Sequence, residues 1–217
     1  MSIIFVSLEK EFIDKIKELN FEAYRTYIQA YKIKQKTYYV SPANSFGFMD
    51  GGIDKALSHM VFPDIEPYVR RKIDIYGKTN LLGRKYLPIG SSIILDYDTS
   101  KSLIVAPTML LPQNVMETQN AYFCTMAVLY NILVNRKEKN VDIVFTSLCC
   151  GCGGMSYNES VNQIMNGIKD YKNYNPKIIN NDVIINEPNL LQQPKYYENS
   201  EFFNVEPKDI INLKYKL

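Results

Sequence analysis

Histidine is almost absent from this 217-residue chain: His59 stands alone, so any mechanism needing two histidines is excluded. Arginine is scarce as well, with only Arg25, Arg70, Arg71, Arg84 and Arg136 among the 25 basic residues. That Lys bias, with abundant Ile, Asn and Tyr, fits an AT-rich genome and says little about chemistry. Excess charge of one sign is missing too. Against 23 acidic residues the balance is +2, too small a net field to hold polyanionic nucleic acid, although a local basic patch stays open. No apolar run approaches the roughly 18 residues that span a bilayer. The opening MSIIFVSLEKEF lacks the basic n-region and small-residue cleavage site of a secretory signal. Cysteines number four, and Cys149, Cys150 and Cys152 lie too close together to staple distant parts of a fold. Together these absences point to a reducing, cytoplasmic setting with no membrane partner.

What is present suits a globular domain. Apolar residues make up 46% and charged residues 22%, which argues against wholesale disorder. The length corresponds to one domain, or one domain with a tail. Ile3 to Val6 is a short apolar run of strand length, and Leu8 to Leu19 carries Phe12, Ile13, Ile16 and Leu19 at a helical period. Tyr24 to Ile33 and Thr37 to Val40 read as strands. A helical pattern opens near Ile53, Pro63 breaks it, and a second helix is predicted from about Ile65 to Tyr76. Ser91 to Leu95 and Leu103 to Val105 are strand-like, and Ala121 to Val134 has a broad apolar helical face. Val141 to Leu148 reads as a strand buried on both sides, followed by a helix over Val161 to Tyr171 and a last strand at Val183 to Ile185. Interleaved strands and helices predict an α/β layered fold. After about Glu187 prolines as spacers, weak periodicity and scattered aromatics mark an appendage. The expected division is therefore a domain over 1–186 and a C-terminal extension over 187–217, packed on the body through Phe202, Phe203 and Ile210.

Two glycine loops carry the chemistry. The first, SPANSFGFMDGG, follows a strand and opens a helix; Gly51 and Gly52 bare the backbone, and Asp54 falls in the first helical turn. Unpaired N–H groups at such a helix start form an anion site by geometry and dipole. The second, CCGCGGMS, repeats the logic with Gly151, Gly153 and Gly154, a stretch able to wrap a phosphate with main-chain donors. Both loops follow strands, so in one sheet they meet at the strands' C-terminal edge, where such sheets bind ligands. Two loops suggest adjacent phosphates, or a phosphate between sugars. Neither fits G-x-x-x-x-G-K-[ST] or G-x-G-x-x-G, which argues against a P-loop nucleotidase and a Rossmann dehydrogenase.

These stretches resemble a known family. SPANSFGFMDGGIDKAL is similar to the first signature of the macrodomains, the ADP-ribose-binding (Appr-1-p processing) family, and SLCCGCGGMSYNESVNQIMNGIKDY resembles the second. VAPTMLLPQNVMETQNAY between them, and the opening IIFVSLEKEFIDKIKEL, resemble one microbial or viral branch. The likeness covers roughly residues 1–185. It implies a three-layer α/β/α sandwich with a central mixed sheet and a cleft for ADP-ribose, on its own or attached to protein or nucleic acid. By matching position, Ala43, Asn44, Ser45, Gly51, Gly52 and Ile53 would line the distal ribose and diphosphate. Cys149, Cys150, Gly151, Cys152 and Gly153 would give N–H groups to the diphosphate, with Tyr157 beside them. Asn44 and Asp54 are the implied catalytic pair: Asn44 orienting the sugar, Asp54 positioning water for hydrolysis at its anomeric carbon. The resemblance implies neither cofactor nor metal.

Some positions depart from the pattern. Lys32 stands where the family carries an adenine-binding Asp, and lysine cannot accept from an exocyclic amine. Ser41 replaces the first Asn of the signature, Asp50 replaces a glycine, and Cys149-Cys150-Gly151 replaces Gly-Thr-Gly. Other readings stay open at single residues. Asn44 also reads as a simple turn former, and Asp54 as a helix-start carboxylate. Phe46, Phe48 and Tyr157 are core or cleft wall. The cysteines are loop fillers, a reactive thiolate at a helix start or, with poor spacing, zinc ligands. Arg70, Arg71 and Lys72 form a solvated basic face, and His59 packs or faces water. Three functions follow: an ADP-ribosyl hydrolase, a reader that binds without turnover, or the same fold with altered nucleotide specificity.

Overall fold

The structure is a computed structural model and describes residues 1–80 and 83–186. The expected extension over 187–217, and its packing through Phe202, Phe203 and Ile210, lie outside the described residues.

Eight strands form one mixed sheet. In chain order they are β1 (Ser2–Ser7), β2 (Glu22–Arg25), β3 (Thr37–Ser41), β6 (Ser92–Asp96), β7 (Lys101–Val105), β8 (Asp142–Phe145), β9 (Lys177–Asn180) and β10 (Val183–Ile185). A separate two-stranded ribbon joins β4 (Lys78–Thr79) to β5 (Lys85–Tyr86). The spatial order is β2-β1-β8-β3-β7-β6-β10-β9. The first five strands in that order run parallel; β6, β10 and β9 each pair antiparallel with the strand before. The C-terminal ends of five strands therefore share one edge of the sheet, and β3 and β8 are immediate neighbours there.

Successive side chains alternate between two cores, as a period of two requires. Phe5, Tyr38, Val40, Ile104, Ile143 and Phe145 face α1 (Lys10–Glu18), α4 (Asn120–Leu129) and α5 (Tyr157–Asp170). Ile4, Val6, Tyr39, Leu103, Val105 and Val144 face α2 (Gly52–Ala56) and α3 (Glu66–Tyr76). The expected three-layer α/β/α sandwich is what the chain forms. Burial on both faces explains why β8 reads as a nearly continuous apolar run. On α5, Gly167 lets α4 approach closely, because a Cβ there would lie 2.7 Å from that of Thr125.

Three elements differ from the sequence reading. The strand expected from Tyr24 to Ile33 ends at Arg25 and gives way to a 3-10 turn, Ile28–Ala30. Three residues per turn bring Ile28 and Tyr31 to the same side, and both are buried against the sheet. Helix α5 begins four residues before Val161, because the Ser156 hydroxyl accepts from the Glu159 N–H at 3.2 Å and caps it. Strand β9 has no counterpart in the sequence reading: it lies at the sheet edge with its residues mostly exposed, so it shows no buried period. Elsewhere α2 and α4 each continue as a π turn, over Leu57–Val61 and Tyr130–Asn135. Among the described residues no helix is long and apolar enough to cross a membrane.

Candidate functional site

Both glycine loops leave the same edge of the sheet from adjacent parallel strands, the first after β3 and the second after β8. The segment after β7 laces them together. Thr108 N–H donates to the Ala43 carbonyl at 2.9 Å, Ser45 N–H donates to Met109 O at 2.9 Å, and Val115 N–H donates to Gly153 O at 2.8 Å. Ala43 and Ser45 are thus interior fasteners, with side chains closed off from water. Residues 106–115, which the sequence reading left without a role, hold the two loops in register.

In the first loop the Asn44 amide is occupied by its own turn. Its Nδ2 donates to Phe48 O at 2.8 Å, and its Oδ1 accepts from the N–H groups of Phe46 and Phe48 at 3.1 and 3.3 Å. Gly47, at φ +72°, lies against α3, where a Cβ would come within 2.8 Å of Ile73. Phe48 receives the Arg70 guanidinium 5.0 Å from its ring centre, so the aromatic pair Phe46 and Phe48 anchors the loop tip on α3. Beyond this anchor Gly51 and Gly52 are exposed, with nothing within 4 Å of a would-be Cβ. Among the described residues the N–H groups of Gly51, Gly52 and Ile53 meet no acceptor.

Asp54 lies just inside that helix start and is only 8% exposed. The Ser41 hydroxyl, at the end of β3, donates to it at 2.7 Å. Burial pushes its carboxyl up to about 7; the Ser41 bond pulls the other way, and the charges of Asp50 and Glu66 add to the rise. Ser41 is the partner that sequence reasoning missed, although its place in the signature marked it. His59 is exposed, its Nδ1 beside Ser58 Oγ and the Lys55 carbonyl.

The second loop turns on Cys149, whose φ of +63° reverses the chain. Met155 N–H donates to Cys149 O and Gly154 N–H to Gly151 O, both at 3.0 Å. Among the described residues the consecutive N–H groups of Gly151, Cys152 and Gly153 have no acceptor, while that of Cys150 closes the turn over Leu148 and Cys149. Such a run of unpaired donors is an anion nest. Gly151 faces open space, whereas a Cβ on Gly153 would sit 2.4 Å from the Cys149 carbonyl oxygen. Burial pushes the Cys149 thiol up to about 12 and raises that of Cys150, so the reactive-thiolate reading fails at both. Cys152 is exposed. Among the described residues no three His, Cys, Asp or Glu side chains are grouped to hold a metal ion. Tyr157 packs edge-on against Phe12 with ring centres 6.3 Å apart, so its ring supports the loop from the α1 side.

Lys32 is exposed on the segment between the 3-10 turn and β3, and lines a hollow with Tyr24, Arg25 and Tyr31.

Solved structures share this architecture. The Oceanobacillus iheyensis macrodomain with MES bound superposes with a TM-score of 0.52 at 17% identity, over 69% of this chain and 76% of that one. The fold is that of the macrodomains. The same Oceanobacillus iheyensis macrodomain with ADP gives 0.51 at 17% identity, over 69% and 75% of the two chains. A point-mutant form with ADPR gives 0.50 at 18%, over 66% and 73%. No family model matches the sequence.

Proposed function

We propose that the chain belongs with the macrodomains of microbial or viral type and binds ADP-ribose, or a close derivative, across the two loops. One observation carries the reading: two sets of main-chain N–H groups that meet no acceptor among the described residues, Gly51 to Ile53 and Gly151 to Gly153, rise from adjacent parallel strands at one sheet edge. Fixed backbone donors satisfy phosphate oxygens without reorganising, and the first set adds the positive end of α2. The macrodomain fold and the ADP- and ADPR-bound neighbours support this ligand. Asn44 acts here as a positioning residue for the first loop, since its amide is already bonded within it. Calorimetric titration with ADP-ribose, AMP and a pyrimidine-diphosphate ribose tests the reading. Binding should be tightest for ADP-ribose; equal or absent binding of all three overturns it.

A second reading, hydrolysis of an ADP-ribosyl linkage on protein or nucleic acid, is favoured by the Asp54 carboxyl held near 7, where a general base works best. In that reading Asp54 takes a proton from the water that attacks the anomeric carbon, and the leaving group departs from that carbon. Incubation with an ADP-ribosylated protein reads it directly. ADP-ribose release that Asp54→Ala abolishes while binding persists supports hydrolysis; no release by the unmodified chain leaves a reader.

A further inference from the structure

Beside β2, on the face of the sheet that carries α2, lies a hollow of about 380 Å³. Arg25, Lys32 and Lys34 line it together with the rings of Tyr24 and Tyr31 and with Thr26; no carboxylate does. Of the acids beside it, Glu22 is already engaged by Lys34 at 3.0 Å and by the Tyr24 hydroxyl, and Asp142 accepts from the Tyr31 hydroxyl at 3.5 Å and from Gln35 Nε2 at 2.6 Å. Lys32 has no hydrogen bond or ion pair among the described residues. Arg25 donates only its Nε, to Leu8 O at 3.0 Å, which leaves its terminal N–H groups without an acceptor there. Solvated surface cations are ordinary. Here they edge a concave, ring-walled space, and the Nε bond orients the Arg25 fork.

The hollow is also placed to receive one end of the ligand. Arg25 and Thr26 end β2 at the same sheet edge as the two loops, and Thr26 N–H donates to Ser7 O at the end of β1. From β2 to β8 is two strand spacings, about 10 Å. The Ile28–Ala30 turn that contributes Ala30 to the wall also packs against α2, the helix of the first loop.

We propose that this hollow is a subsite for an additional phosphate carried on the nucleoside end of the bound ligand, with Arg25 and Lys32 as its donors and Tyr24 as a wall for the base. The inference rests on the ligand reading above for the other end of the molecule. Guanidinium and ammonium groups together suit a phosphate monoester, and a tyrosine ring suits the face of a base. An adenine amino group finds no acceptor among these side chains except hydroxyls.

The test compares AMP with adenosine 2′,5′-bisphosphate and adenosine 3′,5′-bisphosphate on the full chain, by calorimetry and by amide shifts at residues 24–34. One bisphosphate should bind at least about tenfold tighter than AMP, as charge-assisted bonds to a new phosphate require. Salt should shrink the margin, and Lys32→Glu should remove it. Equal affinity for AMP and both bisphosphates, or a margin that survives Lys32→Glu, overturns the subsite. ADP-ribose titrated in parallel separates the two claims. If the Lys32-dependent margin is present but ADP-ribose does not bind, the subsite stands and the ligand reading falls. If ADP-ribose binds and no margin exists, the reverse holds.

Discussion

Asp54 is the residue on which electrostatics and stability meet. Its carboxyl is held near 7 in the fold against an ordinary 3.8, chiefly by burial. Between those values the folded chain keeps a proton that the unfolded chain releases, so this group makes stability fall as pH rises through that window and adds no further change above about 7. Each unit is worth about 1.4 kcal/mol, so the whole effect is at most about 4 kcal/mol. Asp54→Asn carries no such proton. Urea midpoints at pH 4.5 and 7.5 should therefore show the variant losing less stability than the parent chain on going to the higher pH; identical pH slopes would mean that the carboxyl is solvated and ionised. An Asp in the first turn after Gly-Gly is legible in the sequence. Its burial is not, because that depends on Ser41, thirteen residues away and brought alongside by β3.

Within a single loop the glycines divide into two kinds, which the sequence cannot tell apart. Gly151 faces open space at the nest, while Gly153 is pressed against the Cys149 carbonyl and Val115. Gly151→Val should leave stability within about 0.5 kcal/mol and weaken ADP-ribose binding at least about tenfold by covering the donors. Gly153→Ala should cost about 1–3 kcal/mol, since backbone must shift to admit the methyl. Thermal melts and titrations of the two variants read this; a Gly151→Val chain that binds as well as the parent would remove the second loop from the ligand. The strand β8, buried on both faces, was plain from its apolar run, and α1 from its period. The edges were not: β9 exposes most of its residues, and the stretch from Tyr24 to Ile33 has strand composition but only a short strand, because β2 has a neighbour on one side alone.

At the scale of the whole molecule the sheet separates chemistry from reinforcement. At the edge opposite the loops, Arg136 bonds Asp96 at 2.6 and 2.9 Å, Asp182 at 2.9 and 3.2 Å, and the Tyr38 hydroxyl at 2.9 Å. It thereby ties the end of β6, the β9–β10 turn and β3 to the segment after α4. The Arg136 guanidinium holds the Asp96 carboxyl down at about 2. Arg136→Ala leaves these partly exposed carboxylates without their shared partner and should cost about 1–2 kcal/mol, read by urea denaturation. ADP-ribose affinity in the folded fraction should not change, since the loops lie across the sheet. A loss of affinity matching the loss of stability would mean that the two edges are coupled.

The residue order alone determined the layered class, the buried strands and the two glycine loops, because each rests on local periodicity or on the freedom of a residue without a side chain. Only the tertiary structure decided which donors stay unpaired, that Asn44 is occupied within its own turn, and that Asp54 is shut away from water. Pairing and burial depend on neighbours distant in the chain, and strand order, which no local pattern records, brings those neighbours together.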